Sequence, residues 1–173
     1  MSRKMVFEDG LVTFYGEGVL IFPAPSIIKY TAMINDEPEY TKSLYQTAKE
    51  SVLEYKQNLL KECGSNDHKK FIIDTIKLYG LGKIGYEIDS AEPTGMIMLE
   101  NSPFASNDSG KANNPIDHIL RGLIVGMVSA IFDREFDMIE IECRASGGNN
   151  CKFLLDSSDE LIKKFPLLCA NQI

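Results

Sequence analysis

Two cysteines and one glutamate near the end of the chain have the residue types and spacing of a metal site. Seven residues separate Cys143 from Cys151, and Glu140 lies three residues before Cys143. The segment between the cysteines contains Ser-Gly-Gly-Asn-Asn, which is typical of a turn, and strand-type residues flank it. The pattern predicts a β-hairpin with one thiol on each arm, near its closed end. Two thiolates in that arrangement can bind a soft or borderline metal ion such as zinc.

The cysteine pair has two other interpretations besides metal binding. Both cysteines can be free thiols that pack in the structure, or they can form a disulfide across the hairpin. A disulfide is the least expected outcome, because no signal peptide is predicted at the N-terminus and thiols in the cytoplasm stay reduced. The remaining cysteines, Cys63 and Cys169, are isolated in the sequence and are expected to be packed or partly exposed.

A tetrahedral site needs two ligands besides the thiols. Glu140 is the first candidate, but it can join Cys143 only if the strand bulges or bends, because strand residues three apart point to opposite faces. Asp117 and His118 are the candidates for the fourth position, and they lie about 100° apart around a predicted helix, so both are not expected to reach one ion. The alternatives are an i,i+4 ion pair between Asp117 and Arg121, and a core histidine at position 118.

Charge favours His118 over Asp117 as the fourth ligand. The two thiolates and Glu140 already contribute three negative charges, and a neutral imidazole suits zinc without adding a fourth. The charge argument therefore predicts that His118→Ala weakens zinc binding much more than Asp117→Ala.

Composition limits the classes of function. The 173 residues are 44% hydrophobic and 25% charged, as expected for one globular domain that spans residues 1–173. The net charge of -7 argues against binding to nucleic acid, because phosphate contacts need clustered Lys and Arg. The sequence has no apolar run long enough to insert into a membrane, so we expect a cytoplasmic protein. Only two histidines are present, which offers little for acid–base catalysis.

Hydrophobic periodicity predicts the elements that position these residues. Helical spacing extends over residues 41–61 and 69–79, and a more uniformly apolar helix begins at Asn114-Pro115 and runs to about residue 132. Strands are predicted at residues 11–15, 19–22, 86–89, 96–100, 136–143 and 151–155. Strand pairs separated by long helices predict an α+β domain with an antiparallel sheet.

Two glycines lie four residues apart on the apolar helix, at Gly122 and Gly126, and Ser129 extends the same small-residue face. A glycine inside a helix costs about 1 kcal/mol relative to alanine. Their presence predicts that another backbone packs very close to this face, from a sheet or from a partner copy. The alternative is that both glycines are tolerated without a special contact.

The segment Asp117-His-Ile-Leu-Arg-Gly122-Leu-Ile-Val-Gly126, followed by Glu140-Ile-Glu-Cys143 and Cys151-Lys-Phe153, resembles the 4-vinyl reductase domain family. The resemblance extends to Glu100-Asn-Ser-Pro103. It implies the fold of the Golgi-transport component superfamily, an antiparallel sheet with helices mainly on one side, usually as a homodimer. In the aromatic sensors of that superfamily, zinc is held by the motif glutamate, two hairpin cysteines and a further cysteine. The resemblance carries the first three onto Glu140, Cys143 and Cys151, and an ungapped alignment places Asp117 at the fourth.

The resemblance implies a cytoplasmic domain that binds a small hydrophobic ligand, aromatic or a hydrocarbon chain, and holds a structural zinc ion. The expected role is regulatory or sensory rather than enzymatic. Two alternatives remain: an accessory reductase that acts on the vinyl group of a tetrapyrrole, and a purely structural dimerising module.

Overall fold

Strands and helices occur in mixed order along the chain. The computed structural model describes residues 5–14, 17–19, 23–64, 67–88, 94–106 and 112–173. The strands there are β1 Met5–Glu8, β2 Leu11–Phe14, β3 Glu17–Gly18, β4 Lys83–Ile88, β5 Gly95–Glu100, β6 Asp137–Glu142 and β7 Cys151–Asp156. The helices are α1 Ala24–Ile34, α2 Pro38–Glu54, α3 Lys56–Cys63, α4 His68–Leu78, α5 Pro103–Ser106, α6 His118–Phe132, α7 Ser158–Lys164 and α8 Pro166–Gln172.

The strands form two antiparallel sheets. Strands β1, β2 and β3 pair in chain order, and the larger sheet has the order β4-β5-β7-β6. The predicted hairpin is confirmed, because β6 and β7 pair antiparallel across the turn between the cysteines. The N-terminal prediction is only partly right: β1 was missed, β2 was found, and residues 20–22 of the predicted strand 19–22 lie outside the described residues.

Helices cover mainly one face of the larger sheet. Successive strand residues point to opposite faces, and Met138 contributes to the main core whereas Ile139 packs with Leu161 of α7 and Cys169 of α8. The two short C-terminal helices therefore lie on the second face at the β6–β7 side, and the main core with α6 lies on the first. The predicted α+β class is confirmed.

Two predicted helix boundaries are wrong. Residues 41–61 form two helices, α2 and α3, because Tyr55 leaves helical geometry at φ −102° and ψ 21°. The bend lets both segments follow α6, which each of them contacts. Helix α6 begins at His118 rather than at Pro115, since Asp117 adopts a non-helical conformation. No helix in the described part of the chain is both long and apolar enough to cross a membrane.

The two glycines of α6 face α2 at very short range. A Cβ atom on Gly122 would lie 2.3 Å from the carbonyl oxygen of Tyr45 and 2.7 Å from Cβ of Ala48. A Cβ atom on Gly126 would lie 2.7 Å from the carbonyl oxygen of Lys49. The predicted close backbone approach is confirmed, but the neighbour is a helix of the same chain rather than a sheet or a partner copy.

Gly122→Ala should destabilise the fold by about 2 kcal/mol, because overpacking against a fixed backbone outweighs the helix propensity gained. The nearest atom is a backbone oxygen of α2, which cannot move without shifting that helix. Gly85→Ala in β4 is the matched control, since its nearest neighbour would be 3.7 Å away. Chemical denaturation compares the two, and an unchanged free energy of unfolding in Gly122→Ala would contradict the packing described.

The free edge of β6 is closed by side chains instead of a further strand. The backbone N–H of Met138 donates to Tyr45 Oη at 3.2 Å, and its carbonyl accepts from Arg121 Nη1 at 2.6 Å. The side-chain amide of Gln172 then pairs with both backbone groups of Glu140, at 2.7 and 2.9 Å. These bonds satisfy backbone groups that an edge strand leaves open, and they fix the strand just before the metal-ligand candidates.

Candidate metal centre

Four acidic or thiol side chains converge at the closed end of the β6–β7 hairpin. Asp117 precedes α6, Glu140 lies in β6, Cys143 directly follows β6, and Cys151 begins β7. One potential ligand atom from each lies within 4.8 Å of the corresponding atoms of the other three. Each residue is at most 5% exposed. The cluster therefore offers two oxygens and two sulfurs in a closed, water-poor site.

A β-bulge brings Glu140 onto the same face as Cys143. Glu140 pairs with Phe153, but Glu142 pairs with Lys152, so Ile141 is the extra residue of the bulge. Without that extra residue, the glutamate and the cysteine would point to opposite sides of the sheet. The structure thus meets the condition that the sequence had set for Glu140 to approach the thiols.

The turn between the arms needs its two glycines. Gly147 has a φ of +98°, a conformation that other residues rarely adopt. A Cβ atom on Gly148 would lie 2.7 Å from Cγ of Glu142 and 2.9 Å from the carbonyl oxygen of Cys143. The tight turn that results holds the two thiols side by side.

Each carboxylate has one oxygen held by a protein donor and one without a partner. Ser102 Oγ donates to Asp117 Oδ1 at 2.5 Å, and the backbone N–H of Asp117 donates to Glu140 Oε2 at 3.4 Å. Asp117 Oδ2 and Glu140 Oε1 are buried and have no hydrogen-bond partner. Unpartnered buried carboxylate oxygens are costly. A cation between them would remove that cost, so the residues fit a metal ion.

The electrostatics of the cluster point the same way. Burial raises the pKa of Asp117 to about 6. Burial, followed by the neighbouring charge of Asp117, also raises the pKa of Glu140. The thiol of Cys151 donates to Cys143, which lowers the pKa of Cys143 to about 5 and raises that of Cys151. Four acids share a confined space, and a bound cation is what would favour all of them in the deprotonated form.

Arg121 supplies the positive charge next to this cluster. Its guanidinium is fully buried, donates to the carbonyl oxygens of Met138 and Gln172, and stacks over the Tyr45 ring at 4.7 Å. The predicted alternative, an ion pair with Asp117, is not its main contact. The guanidinium ties α6 to the edge strand and to the C-terminal helix, and its charge opposes the excess negative charge of the cluster.

His118 lies outside the cluster. Its Nε2 contacts Asn35 Oδ1 at 3.0 Å and its Nδ1 contacts Arg121 Nη2 at 3.0 Å. Because Arg121 can only donate, Nδ1 accepts, and Nε2 carries the proton donated to Asn35. Burial and then the charge of Arg121 lower the pKa of His118 to about 3. Both ring nitrogens are engaged in a neutral core histidine, the alternative that sequence had left open, with side chains as partners.

Sequence reasoning missed Ser102 and Gln172. Ser102 lies within the Glu100–Pro103 segment that carried part of the family resemblance, which was the one available signal for it. Gln172 is 32 residues beyond the strand residue that it caps, and no motif marks it.

Comparison with known families identifies this part of the chain. Residues 97–156 match the family model of the 4-vinyl reductase domain, a range that contains all four cluster residues. The chain contains a 4-vinyl reductase domain. This confirms the resemblance seen in the sequence. No curated protein matches the chain.

Solved structures confirm the fold around the 4-vinyl reductase domain. The phenol-responsive sensory domain of the transcription activator PoxR, in a structure with phenol, is 13% identical with a TM-score of 0.78, over 97% of this chain and 92% of that one. A vinyl-4-reductase family protein from Methanocaldococcus jannaschii is 25% identical with a TM-score of 0.56, over 80% and 83%. A trafficking protein particle complex subunit 3 from Naegleria fowleri, covalently bound to palmitic acid, is 11% identical with a TM-score of 0.54, over 76% and 89%.

Proposed function

We propose that this chain is a sensory or regulatory domain that binds a small hydrophobic molecule and holds a structural zinc ion. The observation that carries the first half is the fold shared over 97% of the chain with a sensory domain whose structure contains phenol. The buried cluster of two carboxylates and two thiols supports the second half. We place the domain in the cytoplasm, where thiols remain available to a metal.

Zinc would be held by Asp117, Glu140, Cys143 and Cys151. An ion bound there would connect the start of α6 to both arms of the hairpin, and its chemistry would be structural, since all four positions are filled by protein ligands. Asp117 replaces His118 as the proposed fourth ligand. The support is position: Asp117 belongs to the cluster, whereas the ring of His118 binds Asn35 and Arg121.

The candidate ligand pocket among the described residues lies beside the C-terminal helices. Its volume is about 340 Å³, within the range of about 300–1,000 Å³ typical of small-molecule sites. Asp137 and Ser158 form one polar end, and Lys49 Nζ neutralises Asp137 at 2.8 Å. A neutral, mainly apolar molecule with one hydroxyl group suits such a pocket. The apolar wall consists of Ile162, Pro166, Cys169, Ala170 and Ile173.

We also propose a homodimer. The family resemblance implies one, and α1 presents apolar side chains to solvent at helical spacing. Ile27, Tyr30 and Met33 are 36%, 57% and 82% exposed. The glycine face of α6, which sequence offered as a second argument, is already occupied by α2 of the same chain.

Native mass spectrometry of the purified protein tests the function. We expect a dimer with one zinc ion per chain and an additional mass from a co-purified apolar molecule. Ala170→Phe should remove the additional mass because it fills the pocket, whereas Leu167→Phe, at a residue 83% exposed and outside the pocket, should keep it. A zinc-free monomer with no bound molecule would contradict the proposal, and a molecule retained by Ala170→Phe would place the ligand elsewhere.

A further inference from the structure

We propose that Ser102 is a positioning residue for the metal centre: it holds one oxygen of Asp117 so that the other oxygen alone binds the ion. This inference rests on the proposed zinc site. It assigns the ligand atoms as Asp117 Oδ2, Glu140 Oε1 and the two cysteine sulfurs. It also gives a role to a residue that no motif in the chain marks as functional.

Ser102 is fixed on both sides of its hydroxyl group. It is 1% exposed and follows β5, where its Oγ accepts the backbone N–H of Ala105 at 3.2 Å. That bond uses an acceptor position of the hydroxyl, so its one proton is free for Asp117 Oδ1, which it reaches at 2.5 Å. The hydroxyl therefore has a defined direction. A carboxylate anchored in this way turns its second oxygen, Oδ2, away from Ser102.

Glu140 shows the same division of labour with a different donor. Its Oε2 accepts the backbone N–H of Asp117, and its Oε1 is the oxygen without a partner. The two carboxylates thus have equivalent states, with one oxygen held by the protein and one left open. Two open oxygens and two sulfurs make four donor atoms, the number that a structural zinc site requires. Outer donors of this kind typically change metal affinity by about 10–100-fold when removed.

A thiolate at position 117 would not need Ser102. A sulfur is a single donor atom, with no second oxygen to anchor. The dependence on Ser102 should therefore appear with aspartate at position 117 and disappear with cysteine there. A purely structural role for Ser102, such as supporting α5 through Ala105, would cost the same in both cases.

The test is a double-mutant cycle on the full chain, with cobalt(II) as the probe and a chelating dye as competitor. Ser102→Ala should lower cobalt affinity by about 10–100-fold and alter the visible absorption bands of the bound ion. In the Asp117→Cys background the same change should lower affinity less than threefold, roughly the limit set by additivity of independent sites. Ser129→Ala is the matched control, because Ser129 is also buried and its Oγ accepts a backbone N–H, that of Phe136.

An equal loss in both backgrounds, or no loss in either, would overturn the role of Ser102. If Ser102→Ala does not fold, Ser102→Cys takes its place in the same cycle, since a thiol keeps the volume but donates weakly. A wild-type protein that binds neither cobalt nor zinc would contradict the metal centre itself. That result is distinct from a wild type that binds metal without any need for Ser102.

Discussion

Cys143→Ser should release the metal ion and lower the thermal midpoint by about 10 °C or more in the presence of zinc. Metal bound only by the folded state stabilises it by about 4 kcal/mol when free zinc is 1,000-fold above the dissociation constant. For a chain of this size each kcal/mol corresponds to about 2–4 °C. Serine has no ionisable sulfur, so the stabilisation is lost with the ligand. Metal analysis and calorimetry of the same samples measure both effects.

Cys63→Ser separates loss of metal from loss of packing. Cys63 is buried at the end of α3 and does not belong to the cluster. That variant should lose some stability and keep one zinc ion per chain. Full zinc occupancy in Cys143→Ser, or loss of zinc in Cys63→Ser, would be incompatible with the proposed ligands.

Asp117→Asn should stabilise the protein without metal and weaken the protein with metal. Burial raises the pKa of Asp117 to about 6, above the value of about 3.9 in an unfolded chain. Because the folded state keeps a proton that the unfolded state loses, this carboxyl reduces stability progressively as pH rises from about 4 to about 6. Asparagine never ionises. At pH 7.5 the metal-free variant should therefore be more stable than metal-free wild type by up to roughly 3 kcal/mol.

The sign should change when zinc is added, since the variant lacks the ligand charge that wild type offers. Urea unfolding with and without chelator, at pH 4 and pH 7.5, gives the four comparisons needed. The stability difference without metal should vanish near pH 4, where both side chains are neutral. His118→Ala is the control for the neighbouring position: it should lose hydrogen bonds to Asn35 and Arg121 yet retain zinc affinity. If His118→Ala loses zinc while Asp117→Asn retains it, the histidine is the fourth ligand.

The hairpin and its thiols were accessible from sequence because their signals are local. Cys143 and Cys151 flank a turn that Gly147 and Gly148 define, and the alternation on each arm sets the pairing. The bulge at Ile141 could be stated only as a condition, since a register shift has no residue signature of its own here. The Gly122 and Gly126 pair predicted a close approach, but the identity of the neighbour required the folded chain.

The remaining features depend on residues that are distant in sequence. The position of His118 is decided by Asn35, 83 residues away. Its charge-based preference over Asp117 failed to include the burial of Arg121, which already compensates negative charge beside the cluster. The start of α6 shifted from Pro115 to His118 because Asp117 leaves helical geometry where its backbone N–H reaches Glu140. Local propensity cannot anticipate such a contact.

X-ray absorption at the zinc edge of the purified protein tests the metal centre most directly. We predict one zinc ion per chain with two sulfur neighbours at about 2.3 Å and two oxygen neighbours at about 2.0–2.2 Å. In Asp117→Cys the shell should change to three sulfurs and one oxygen. A protein without zinc, or a wild-type shell that contains no sulfur or a histidine nitrogen, would contradict the proposed centre of Asp117, Glu140, Cys143 and Cys151.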